Sequence, residues 1–235
     1  MITKFQTEQL KIGSVEVEIT FKPIKNLHLS VHPPYGKVTV SSPEFFDLEK
    51  VRVYLTTKIA WIKREQKKIS NQAREGGKLF ITRESHQFLG KRYLLEVEES
   101  NRNKVVLKHS SIELSVKDIL DQSLKKKILY RWYRKELKVQ LDFLLEKYAS
   151  VMNLAIPEYG IREMKTKWGS CTTEHKKLWF NIELAKKPLT CIEYIVVHEM
   201  VHLYERNHNK NFIILMDRYL PNWRIQKRIL NELPI

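Results

Sequence analysis

Apolar and polar residues alternate with period two at Val15-Glu16-Val17-Glu18-Ile19-Thr20-Phe21 and at Leu27-His28-Leu29-Ser30-Val31. That pattern predicts strands with one buried face. Pro33-Pro34-Tyr35-Gly36 reads as a turn, and Lys37-Val38-Thr39-Val40 as the returning strand of a hairpin. Ser42-Pro43 then opens a helix, with proline at an early helical position, over about 44–71. Val51, Leu55, Ile59 and Ile62 recur along it at helical spacing. Gly76-Gly77 breaks the pattern, and further strands are expected at 79–81, 92–97, 104–107 and 112–116. Gly90 and Asn101-Arg102-Asn103 supply turns between them.

From 118 to about 151 the period is helical again, with Leu124, Ile128, Trp132, Leu137, Leu141, Leu144 and Tyr148 as a core-facing stripe. Strand-like stretches come next at 159–165 and 177–183, separated by Lys167-Trp168-Gly169-Ser170-Cys171. Pro188 closes this unit. A helix is expected from Thr190, because Thr190 and Glu193 spell a capping box before an apolar run. Two short helices, about 212–219 and 223–232, finish the chain. No internal repeat is visible. The expected class is α+β: a β-rich N-terminal region with one helix over 1–116, then a second domain over 117–235.

At 235 residues and 43% hydrophobic, the chain can bury a core without staples. Cys171 and Cys191 make no disulfide framework, no run of apolar residues is long enough for a membrane span, and the first residues lack a signal-peptide stretch. These features together lead us to expect a cytoplasmic protein. The net charge of +15 adds a nucleic acid or another polyanion as a candidate partner.

The chemistry concentrates in His198-Glu199-Met200-Val201-His202. Residues four apart on a helix are neighbours, so two imidazoles so placed can converge on one Zn²⁺. Glu199 then lies beside the metal, where it can take a proton from water. A catalytic zinc needs a third protein ligand, and His208 is the candidate. A continuing helix would carry it about 15 Å past His198, so the helix must end after His202 and the chain must turn back. Asn207 and Asn209 flank His208 and tolerate the left-handed conformation that ends helices. Glu205 is the rival third ligand. Cys171, if it reached the metal, would close the site and make it structural.

The stretch from Lys165 to Trp223 resembles the YgjP-like family of zinc metallopeptidases, distant relatives of the SprT-like and WLM proteases. The matching pieces are Lys165-Thr166-Lys167-Trp168-Gly169-Ser170-Cys171, Phe180-Asn181, Pro188, the segment from Val196 to Leu203, Asn207-His208, Phe212 and Pro221-Asn222-Trp223. The N-terminal half resembles the family more loosely. The resemblance implies one Zn²⁺ per chain on His198, His202 and His208, with Glu199 as general base. It also implies a small zincin-like catalytic fold: a long helix, a short sheet, the active-site helix and C-terminal helices. The histidine spacing also fits the metzincins, but Glu205 stands where those carry the turn glycine, and no Met-turn is evident.

Among neighbouring residues, Trp168, Gly169, Ser170 and Asn181 are the candidate substrate-binding set. Stretch 177–183 is the candidate edge strand for an extended peptide, with Trp179 beside it. Tyr204, His175 and Lys167 are candidate helpers for a developing oxyanion. Two classes of function emerge: a zinc peptidase acting on a peptide or protein, and a basic nucleic-acid-associated protein whose zinc is only structural. A protease acting on DNA-associated proteins combines them.

Overall fold

The computed structural model describes residues 6–32, 36–71, 78–172 and 176–233. The expected turn at Pro33-Pro34-Tyr35, the break at Gly76-Gly77, and His175 lie outside the described residues. The chain divides into two compact units, 1–73 and 74–235.

In the first unit, β1 (Thr7–Ile12) pairs antiparallel with β2 (Val15–Lys22) through a turn at Gly13, φ 58°. β2 runs parallel to β4 (Lys37–Pro43), and β4 antiparallel to β3 (His28–His32), giving the order β1-β2-β4-β3. The period-two pattern places Val15, Val17 and Ile19 on one face with Val38 and Val40. The helix α1 (Leu48–Asn71) lays Val51, Leu55 and Ile62 into the same cluster, all fully buried. β1 escapes the sequence pattern because Thr7–Ile12 has a single buried residue, Leu10.

The second unit opens with a sheet of the same design. β5 (Ser85–Phe88) and β6 (Lys91–Glu99) are antiparallel, β6 and β8 (Ser111–Val116) parallel, and β7 (Lys104–Leu107) antiparallel to β8. The order β5-β6-β8-β7, with a helix after it, repeats the strand order and senses of the first unit. This sheet shares its core with the later elements of the chain: Phe88, Leu95, Ile112, Leu114 and Val116 cluster with the helix α2 (Gln122–Met152). The division at 73/74 therefore replaces the expected 116/117. The expected strand at 79–81 is not formed. Glu84 instead accepts hydrogen bonds from the backbone N–H groups of Leu79 and Phe80, and Phe80 takes φ 55°.

Asp121 caps α2 by accepting from the Leu124 N–H at 2.9 Å, so the helix begins later than the expected 118. Asn153, at φ 53° and ψ 48°, ends it in the left-handed conformation. Against α2 packs a three-stranded sheet of order β10-β11-β9, made of β9 (Glu158–Arg162), β10 (Gly169–Thr172) and β11 (Lys177–Asn181). The tract from Gly169 is thus itself a strand. β11 is the central strand, so stretch 177–183 offers no free edge.

A 3-10 turn, Ile182–Lys186, leads into the helix α3 (Leu189–Val201). Its entry is fixed from the β5–β6 turn, where the Leu89 and Gly90 N–H groups donate to the carbonyls of Ala185 and Lys186. At Gly90 (φ 78°) a Cβ would come within 2.8 Å of Pro188. The expected capping box is absent. Pro188 occupies the N-cap with no side-chain bond, and the Glu193 carboxylate is engaged by Lys147 at 2.7 Å and the Tyr148 hydroxyl at 2.9 Å. α3 is apolar nearly all round and correspondingly buried, with Ile192, Val196, Val197, Met200 and Val201 sealed from solvent. The helices α4 (Lys210–Tyr219) and α5 (Trp223–Glu232) complete the unit. Among the described residues no helix is long and apolar enough to cross a membrane.

Candidate metal centre

α3 stops where the histidine spacing requires. His202 is its C-cap, and the Leu203 and Tyr204 N–H groups donate back to Met200 and Val201 in the tighter bonds of a closing turn. The chain then reverses to Asn209, whose side chain accepts from the Phe212 N–H at 3.1 Å and caps α4. Asn209 does this from extended backbone at φ −87°, and Asn207 is not left-handed either. The reversal is made by starting a new helix rather than by the left-handed residue expected.

This reversal brings His208 back to α3. One nitrogen from each of His198, His202 and His208 lies within 4.8 Å of the other two, and His198 Nε2 and His208 Nε2 are 3.0 Å apart. Two ring nitrogens that close need something electropositive between them, a proton or a cation. Two ligands of one tetrahedral zinc at 2.0–2.1 Å bonds would be about 3.3 Å apart. His202 Nδ1 lies 3.0 Å from the Glu205 carbonyl oxygen. A carbonyl only accepts, so Nδ1 carries the proton and Nε2 is left with its lone pair. His198 Nδ1 is buried without a partner, so that ring makes its polar contacts through Nε2 alone. Burial, and then the neighbouring His202 and His208 and the charge of Lys227, push His198 down to about 3, so it stays neutral, as a ligand must. The donor set and its geometry fit a metal ion.

Phe212 closes the cluster from α4. It is buried, and its ring centroid is 5.0, 4.8 and 4.6 Å from those of His198, His202 and His208. Tyr194, one turn before His198, meets its ring edge-on at 5.8 Å and stacks on Trp223. The other candidate ligands stay out. Among the described residues Cys171 and Glu205 are not within the cluster, and burial together with the Glu199 charge pushes the Cys171 thiol up to about 11. Glu205 contributes its carbonyl instead of its carboxylate.

Glu199 is buried at 5% exposure, next to the cluster and not within it. Burial pushes its carboxyl up to about 8, against the pull of Lys167. A cation on the histidines would act with Lys167. Gly169 lies against this carboxyl: a Cβ there would fall 2.7 Å from Glu199 Oε1, closer than any side chain permits. Trp168 and Ser170, its neighbours, are half-buried on the same strand entry. Asn181 departs from expectation. It is buried, its Nδ2 donates to the Met164 and Lys167 carbonyls at 2.9 and 2.8 Å, and its Oδ1 accepts from Glu183 N–H. It holds the loop into β10 and has no reach left for a substrate. Trp179 likewise lies over Gly160 with Arg162 against its ring at 4.6 Å. The Tyr204 hydroxyl is bonded to the Met152 carbonyl, which occupies it. Phe212 as the floor of the cluster was not legible as a role, since it depends on contacts between distant segments.

No curated protein matches the chain. Solved structures with a partial likeness include the metallopeptidase zymogen abylysin of Pyrococcus abyssi, at 19% identity and a TM-score of 0.37 over 40% of this chain and 94% of that one. The zymogen jannalysin of Methanocaldococcus jannaschii is similar, at 19% identity and a TM-score of 0.35 over 38% and 92%. The family model described as YgjP-like, metallopeptidase domain, matches residues 25–233. With that match spanning most of the chain, it belongs to the YgjP-like family and is a metallopeptidase.

Proposed function

We propose that this metallopeptidase binds one Zn²⁺ through His198, His202 and His208 and uses Glu199 as its general base. The observation that carries this reading is the convergence of three imidazole nitrogens within 4.8 Å, with a buried carboxylate on the adjoining helix position. Three neutral imidazoles suit zinc, and three protein ligands leave a fourth position open, as in catalytic sites. A zinc ion there supplies Lewis acidity, acidifying water and polarising the scissile carbonyl.

The chain's own residues do the rest. Glu199 accepts a proton from the attacking water and passes it to the leaving amine. Gly169, pressed on its carboxyl, limits where that carboxyl can point. The outer edge of β10 is unpaired among the described residues, and β10 packs beside α3. An extended peptide laid along Gly169 and Ser170 would find main-chain partners there, with Trp168 at the strand's entry, and its backbone would pass next to Glu199. This moves the peptide platform from the expected 177–183 to β10. Among the described residues Lys167 is the remaining polar helper of those expected, with its charge already felt at Glu199.

Glu199→Gln tests the reading. It is expected to keep zinc content and thermal stability near wild type while peptide turnover falls by about 10²–10⁴-fold. A structural zinc in a nucleic-acid-associated protein has no use for this carboxylate. Turnover within a few-fold of wild type would overturn the assignment.

A further inference from the structure

The sheet that carries β10 has a second open edge. β9 pairs with β11 on one side and, among the described residues, with no strand on the other. That free side borders α2, and β9 and α2 run in opposite directions. The Tyr159 hydroxyl donates to Asp142, and the Lys138 ammonium is 5.7 Å from the centre of the Tyr159 ring. Two residues on, the Ile161 carbonyl accepts from Arg134 Nη1, and beyond it Glu163 lies 3.7 Å from Lys126. Between strand and helix is an open groove of about 570 Å³, lined by Arg134 and Lys138 and by the chain from Ile156 to Ile161. Successive residues of a strand aim their main-chain groups to opposite sides. Because the Ile161 carbonyl faces α2, Ile161 and Tyr159 present their N–H and C=O groups to this edge.

The helix wall of the groove is basic. Lys127, Arg131, Arg134, Lys135 and Lys138 are all exposed and fall within about 100° of arc over about 16 Å of helix. The acids beside them are taken. Asp142 is held by Lys138 at 2.8 Å and by the Tyr159 hydroxyl, Glu158 by Lys177 at 3.3 Å, and Glu163 by Lys126. Glu136 is turned about 150° from the middle of the arc. Among the described residues no acid pairs with Lys127, Arg131, Arg134 or Lys135.

A free strand edge recognises an extended main chain, and unpaired cations beside it recognise carboxylates. A nucleic acid would engage the cations but not the main-chain groups. We propose that the groove between β9 and α2 docks an extended, acidic polypeptide segment of another protein. The segment adds a strand to β9 and sets its carboxylates against Lys127, Arg131 and Arg134. It takes over the bond that Arg134 makes to Ile161 and frees the guanidinium for a bidentate carboxylate contact. Ile156, 59% exposed, and Pro157 offer its apolar side chains a surface. β11 lies between the two edges, so this one is about 10 Å from that of β10. Neither the histidines nor Glu199 take part, and the inference does not rest on the peptidase reading.

The test uses full-length protein carrying Glu199→Gln, so that bound peptide is not cut. Calorimetry compares a short peptide alternating Glu with Thr, its glutamine counterpart, a version with proline at alternate positions, and an oligothymidylate of similar length. The acidic peptide is expected to bind roughly tenfold tighter than the glutamine peptide, with the gap narrowing as salt rises. Proline removes main-chain donors and should weaken binding by roughly tenfold as well. Amide hydrogen exchange should slow at Tyr159 and Ile161 when the acidic peptide binds. Lys127→Glu combined with Arg131→Glu, both on exposed positions, should abolish the preference for the acidic peptide with circular dichroism unchanged. Equal binding of the acidic and glutamine peptides, or of the plain and proline peptides, would overturn the proposal. So would slowed exchange confined to β10, or tighter binding of the oligothymidylate, which would make this a nucleic-acid face.

Discussion

At the residue scale, the site depends on distances that single atoms control. Gly169 has ordinary backbone dihedrals, so its requirement is space, not conformational freedom: any Cβ would meet Glu199 Oε1 at 2.7 Å. Gly169→Ala is therefore expected to displace the Glu199 carboxyl, lowering kcat/KM by about 10²-fold with zinc content unchanged, since misplacement near 1 Å costs that much. Parallel measurements of turnover and metal stoichiometry check it, and wild-type turnover would show that the carboxyl relaxes freely. Asn181→Ala removes two donated hydrogen bonds from the loop carbonyls of Met164 and Lys167. The expected loss is about 1–3 kcal/mol of stability, read from denaturant unfolding. The convergence of His198, His202 and His208 was legible because it follows from helix period and a chain reversal after His202. Asn181 was misread as substrate-binding because a buried amide spanning a loop looks, in sequence, like any asparagine on a strand.

At the scale of elements, strands with strict alternation were legible and those carried by local polar bonds were not. The turn at 79–84 is held by Glu84, which takes the N–H groups of Leu79 and Phe80 and the His86 ring nitrogen at 2.7 Å. Burial works against the Glu84 carboxylate, but these hydrogen bonds outweigh it, and its pKa is lowered below 4.5. Burial, opposed by Glu84, holds His86 below 6.5. For both groups the unfolded chain binds protons more readily, so each adds stability that is lost as pH falls, from below 6.5 for His86 and below 4.5 for Glu84. Wild type should lose melting temperature over that range more steeply than the double variant Glu84→Gln, His86→Phe. Parallel melting curves against pH would contradict the account. The capping box failed for a related reason. Glu193 is held by Lys147 and Tyr148 on α2, a tertiary demand that local sequence does not display.

At the scale of the whole molecule, the two sheets repeat one topology, although no repeat is visible in the sequence. Strand order and helix position survive while side chains diverge, because Val15–Lys22 and Lys91–Glu99 need only a buried face, not the same residues. The cores are separate clusters, with Leu55 in one and Leu141 in the other, both fully buried. Leu55→Ala is expected to cost its own unit about 2–5 kcal/mol while zinc content stays at the wild-type level. Calorimetry with metal analysis checks this, and loss of zinc would tie the centre to the first unit. Zinc stoichiometry by elemental analysis on wild type and His208→Ala tests the three-histidine centre most directly. One zinc per chain is expected in the wild type, and its loss, or at least tenfold weaker retention, in the variant. No zinc in the wild type after metal is supplied, or full retention in His208→Ala, would contradict it.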